Sequence, residues 1–142
     1  MDKTWIVVAE SSRARIFSAL NRVQPPQEIE SFAFPEGRLK DQDIYSDRPG
    51  RTFESANESR SAMEPPDVRD QQHHTFARTI TEALEKGRVK GKFDKLVIIS
   101  PPAFLGALRH TLNGHLGKMV DKTIQKNLAG EDAETIRRYV FD

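Results

Sequence analysis

The sequence predicts a single α/β domain, a mixed five-stranded sheet with flanking helices. Three observations predict it. Two continuous apolar runs, Trp5-Ile6-Val7-Val8-Ala9 and Leu96-Val97-Ile98-Ile99, suit strands buried on both faces. A helical stripe stands between them, and a chain of 142 residues suffices for one domain that buries about two-thirds of its unfolded surface.

The Trp5–Ala9 run is the expected central strand. Glu10-Ser11-Ser12 reads as a tight turn into Arg13–Leu20, where Arg13 and Arg15 alternate with Ala14 and Ile16, the pattern of a hairpin partner. After the Pro25-Pro26 break, Glu28–Phe34 is a third antiparallel strand, closed by Pro35-Glu36-Gly37. From Pro35 to Gln72 there are 15 charged side chains and eight apolar ones without a sustained period. No core can be built from such a stretch, and residues 35–70 are expected to be a long mobile loop, in part functional.

Pro65-Pro66-Asp67 reads as a helix start, with Asp67 as N-cap and Asp70 completing a capping box. The helix is expected to reach about Lys86 on a stripe of Phe76, Ala77, Ile80, Ala83 and Leu84, with Gly87 as its stop. The strand at Lys95–Ser100 then lies parallel to the first, because a helix connects them. Pro101-Pro102 leads into a short helix carrying Phe104, Leu105, Leu108 and Leu112, in which Gly106 would allow close approach to the sheet. Leu112, Leu116, Val120, Ile124 and Leu128 sit at helical spacing, yet Gly114, Gly117 and the Val120/Ile124 alternation also allow an edge strand over Met119–Gln125, the preferred reading. Glu131–Tyr139 is a final helix, acidic at its start and basic at Arg137 and Arg138.

With no cysteine, disulfides, thiolate metal sites and thiol nucleophiles are excluded. The five apolar residues after Thr4 fall far short of a signal-peptide core or a membrane span, so a cytoplasmic protein with no membrane partner is expected. The formal net charge of +1 hides an uneven distribution: residues 35–72 carry nine acids and six bases, whereas 86–138 carry eleven bases and five acids. A basic half can steer polyanions toward a surface, and it can equally be a solvated face.

Within the long polar stretch, Asp47-Arg48-Pro49-Gly50-Arg51-Thr52-Phe53-Glu54 is chemically distinctive. A turn at Pro49-Gly50 would hold Arg48 and Arg51 on one side, a guanidinium fork for phosphate, carboxylate or an RNA backbone. Arg109, one turn after Leu105, can extend toward the ligand face of the sheet. His73 falls on the apolar stripe of its helix and His74 does not; adjacent helical residues point about 100° apart, so they form no metal pair. Glu10 and Asp94 stand near strand ends, but a metal nuclease needs several converging carboxylates. Nucleophile-elbow, Walker and dinucleotide motifs are absent, so no cofactor, metal or catalytic residue is assigned.

Taken together, Trp5–Ala9 with Ser12-Arg13-Ala14-Arg15-Ile16-Phe17, the Asp47-Arg48-Pro49-Gly50-Arg51 loop and the Pro101–Arg109 junction resemble the bacterial host attachment proteins, described as required for attachment to host cells. The resemblance covers nearly the whole chain. That family is similar to the central domain of archaeal and eukaryotic peptide-chain release factors and of Pelota, which implies an RNase H-like fold. Release factors carry Gly-Gly-Gln in the corresponding loop to hydrolyse peptidyl-tRNA. Here the loop holds Arg48-Pro49-Gly50-Arg51 and no Gly-Gly-Gln occurs, so the resemblance leaves ribosome or tRNA binding without peptide release.

The leading expectation is therefore a non-catalytic cytoplasmic module that binds the ribosome or tRNA through Arg48, Pro49, Gly50, Arg51 and Arg109. The alternative is a regulatory protein needed for attachment to host cells, acting through a protein partner. A hydrolase or nuclease would require a carboxylate cluster around a divalent ion. Edge strands allow a monomer or a weak homodimer.

Overall fold

Along the first strand Trp5, Val7 and Ala9 face one way and Ile6 and Val8 the other, and in the computed structural model, which describes residues 3–35 and 58–142, both sets are buried. This strand, β1 (Thr4–Glu10), pairs antiparallel with β2 (Arg13–Ala19) and parallel with β4 (Lys95–Ile99). The outer strands are β3 (Gln27–Ala33), antiparallel to β2, and β5 (Val120–Ile124), parallel to β4. The order β3-β2-β1-β4-β5 makes β1 the centre of a mixed five-stranded sheet. The strand reading of the ambiguous 119–125 segment holds, preceded by a short helix that runs through Gly117.

One face of the sheet is covered by α1 (Glu58–Val89), α2 (Pro102–Thr111) and α3 (Gly114–Met119). Phe76, Ala77, Ile80 and Leu84 of α1 and Phe104, Leu105 and Leu108 of α2 meet Trp5, Val7, Ile16 and Ile98 in one core cluster. The opposite face carries α4 (Ala133–Phe141), whose Ile136 and Val140 pack with Ile6, Val8, Phe17, Val97 and Ile99. Continuous apolar runs at β1 and β4 follow from this double coverage.

Several expectations need correction. The helix begins at Glu58, not Asp67, so Asp67 is an interior residue rather than an N-cap and the expected 35–70 loop is shorter at its far end. Pro65 and Pro66 lie inside this helix, where each removes a backbone donor and crowds the preceding turn. Nor is Gly87 the stop. Gly91, at φ 69°, is the left-handed residue that ends α1, and Lys92 N–H to Gly87 O (2.9 Å) with Gly91 N–H to Arg88 O (3.0 Å) form a Schellman motif around it. Gly106 brings no helix close to the sheet: it is exposed, and a Cβ there would meet nothing within 4 Å. The inward face of α2 is Phe104, Leu105 and Leu108, and position 106 points away from all three.

Candidate ligand cleft

The covered face of the sheet is wider than its helices. α1 lies over β1 and β2, and β3 beyond it stays exposed along nearly its whole length. The register between β2 and β3 slips once: Ile16 pairs with Glu30 and Phe17 with Glu28, so Ile29 is an extra residue in a bulge. Ile29, Glu30 and Phe32 thereby form one wall of a cleft whose other wall is the C-terminal half of α1. The cleft encloses about 640 Å³, inside the range of roughly 300–1,000 Å³ usual for small-molecule sites.

Its floor is rigid. The ring of Trp5, stacked on Phe93 at 4.6 Å, lies so close beneath α1 that a Cβ on Gly87 would come within 2.4 Å of it. A glycine inside a helix costs about 1 kcal/mol relative to alanine, and here it lets the outer edge of the tryptophan ring approach the backbone. Thr79, Glu82, Ala83 and Lys86 follow one stripe of α1 along the cleft, with Lys90 just past the helix end and Lys92 after the Gly91 turn.

The cleft holds three lysines and two glutamates that are not joined in ion pairs. Among the described residues Lys86, Lys90 and Lys92 have no side-chain hydrogen bond or ion pair, and the same holds for Glu30 and Glu82. Most other cations among the described residues are engaged. Arg88 grips Glu85 (2.6 Å), Arg15 grips Glu28 (3.0 Å), and Arg137 holds both Glu134 (2.8 Å) and Asp142 (3.2 Å). The paired acids respond as expected. Arg88 and Asn113, donating to Glu85, pull its carboxyl down to about 2, and Arg137 lowers that of Glu134. The helix dipole favours cations at the end of α1; the cleft adds an apolar floor beneath them.

The carboxyl edge of the sheet is, by contrast, occupied by its own side chains. Glu10 accepts from the Ser12 amide and hydroxyl, both at 2.9 Å, and so caps the β1–β2 turn. Arg13 and Arg15 donate to the carbonyl of Ala129, and Arg15 also to that of Glu131 at 2.6 Å, pinning the segment before α4. The Ser100 hydroxyl donates to Pro101 O at 3.1 Å. Asp94 sits at the opposite edge, accepting from the Lys3 amide. His73 is half-buried with its ring edge-on to Phe104 at 5.5 Å, and His74 is exposed. Among the described residues no three His, Cys, Asp or Glu side chains are placed to hold a metal ion.

Of the residues the sequence singles out, Arg109 is exposed and donates to the Thr123 hydroxyl of β5 at 3.2 Å, far from the cleft across the sheet. Arg48, Pro49, Gly50 and Arg51 lie outside the described residues. The cleft itself escapes sequence reasoning, because its walls are separated by some fifty residues of chain and meet only in the fold. One signal was available: a stripe of lysines at 86 and 90 flanking a helical glycine.

Fold and site define a small mixed-sheet α/β protein with a bipolar surface cleft. Over residues 5–140 the chain matches the family described as "Protein required for attachment to host cells", and it belongs to that family. It is also similar to an uncharacterized protein of Rickettsia prowazekii (strain Madrid E), with 32% identity over 108 residues. That match covers 73% of this chain and 66% of the relative's length. No helix among the described residues is long and apolar enough to cross a membrane.

Proposed function

We propose that the protein serves attachment to host cells as a binding module, with the cleft between α1 and β3 as its ligand site. The observation that carries this reading is the coincidence of a cleft of small-molecule size with three exposed lysines that form no ion pair with any described acid and outnumber the two glutamates beside them. Family membership supplies the biological setting. The test is complementation: a strain lacking the protein is given either the wild-type chain or the Lys86→Glu/Lys90→Glu variant, and attachment to host cells is counted. Wild-type chain restores attachment and the variant restores less than a tenth of it; equal restoration by both would remove the cleft from the function.

A second reading, binding to the ribosome or tRNA, is favoured by a different surface. Arg109, Lys118 and Lys126 are exposed on α2, α3 and the segment after β5. The likeness to the release-factor central domain belongs with this reading, and the mixed five-stranded sheet is compatible with it. Co-sedimentation with ribosomes and bulk tRNA, at low and raised salt, tests it. Salt-sensitive association that an Arg48→Ala/Arg51→Ala/Arg109→Ala variant loses would support it; no association at either salt would end it.

A further inference from the structure

From the distribution of charge and apolar surface within the cleft, we infer that its ligand is a nucleoside phosphate, an inference that rests on the cleft being the ligand site. The cleft is bipolar along its length. Lys86, Lys90 and Lys92 gather at the end where α1 turns toward β4, and Glu30, Glu82 and Thr79 lie further along. Between and beneath them are the half-buried Phe32 ring and the exposed Ile29 side chain, with the small part of the largely buried Trp5 that reaches the cleft. An anionic group fits the lysine end, where up to three ammonium groups can donate to phosphate oxygens. A flat base fits against Phe32 and Ile29, next to the edge of Trp5. Ribose hydroxyls and exocyclic amino groups are the donors that Glu30 and Glu82 require, since a carboxylate covered without a donor is strongly disfavoured.

Other anions fit less of the site. Inorganic phosphate leaves the apolar floor wet. A fatty-acyl phosphate gives the carboxylates nothing to accept from. A nucleic-acid strand threading the cleft would bring successive phosphates against Glu30 and Glu82, like charges in close approach.

The chain has a single tryptophan, Trp5, and it lines the cleft, so its emission reports occupancy directly. Purified protein, excited at 295 nm where nucleobases absorb little, is titrated with ADP, GDP, CDP and UDP, and in parallel with adenosine and with inorganic pyrophosphate. At least one diphosphate should change Trp5 emission saturably, with the matching nucleoside and pyrophosphate each at least tenfold weaker. Lys86→Gln/Lys90→Gln, both exposed and unpaired, should weaken it at least tenfold while far-UV circular dichroism and the urea midpoint stay unchanged. No saturable change with any of the four diphosphates, or pyrophosphate binding as well as the best of them, overturns the inference. Loss of attachment in the charge-reversed strain without nucleotide binding defeats this inference and leaves the attachment role; nucleotide binding by a chain whose charge-reversed variant still restores attachment does the reverse.

Discussion

Three glycines show how one residue type carries different physical weight by position. Gly91 sits at φ 69° and closes α1, a backbone state that an L side chain reaches at a penalty of about 1–2 kcal/mol. Gly87 has ordinary helical geometry but faces the Trp5 ring at a distance no Cβ tolerates. Gly106 has open space around it. Substitution by alanine should therefore divide by sign. Gly106→Ala gains helix propensity without a clash and should stabilise by about 0.5–1 kcal/mol. Gly87→Ala gains the same propensity but must displace the stacked Trp5–Phe93 pair, an overpacking that costs about 1–3 kcal/mol. Urea unfolding of both variants decides the matter: a stabilised Gly87→Ala would mean that the tryptophan gives way freely and the cleft floor is soft. Trp5 emission in the same experiment reports whether the ring has moved.

Elements are joined by a few polar ties, and one has a clear pH signature. Glu85 on α1 accepts from Arg88 at 2.6 and 2.8 Å and from Asn113, which also caps α3 through the Leu116 amide at 2.8 Å. Its carboxyl is pulled from an ordinary 4.5 to about 2. A carboxyl lowered by folding contributes stability above its unfolded value and loses it as pH falls through the folded one. Wild-type stability should thus fall between pH 4.5 and 2, and Glu85→Gln should flatten that part of the profile while lowering stability at pH 7; urea midpoints at pH 7, 4.5 and 2.5 check it, and an unchanged acid slope would show that the tie carries no weight. How far elements were legible follows from what each one rests on. β1 and β4 announce themselves because coverage on both faces demands unbroken apolar runs. β2 shows its alternation because Arg13 and Arg15 face a polar loop while Ala14 and Ile16 face the core. The start of α1 was hidden by tandem prolines that the helix absorbs, and its end by a packing glycine that resembles a stop. Glu10, set aside in the sequence for want of converging carboxylates, is a turn cap, a role set by the two hydrogen-bond donors of Ser12. The cleft depends on the Ile29 bulge, which no local pattern encodes.

At the scale of the molecule, the two faces of the sheet are held unequally. Among the described residues one carries three helices, the longest of 32 residues; the other carries α4, nine residues long, too short to persist without tertiary contacts. Its contacts are Ile136 and Val140 in the core, the Asp132 cap on the Thr135 amide at 2.9 Å, and Arg137 reaching the Arg22 carbonyl at 3.0 Å. This asymmetry predicts that α4 opens before the sheet does. Native-state hydrogen exchange should find α4 amides less protected than those of β1 and β4, which exchange only on global unfolding. Ile136→Ala removes the fully buried anchor and should cost about 2–5 kcal/mol, a large share of the roughly 5–15 kcal/mol that holds a domain folded. Because Ile136 lies against Ile6, Val8, Val97 and Ile99, that loss should lower protection of β1 and β4 along with α4 rather than sparing the sheet. Equal protection of α4 and β1 in the wild-type chain would show a single cooperative unit; loss confined to α4 in the variant would show that the helix is an appendage, and that β1, β4 and the three-helix layer fold without it.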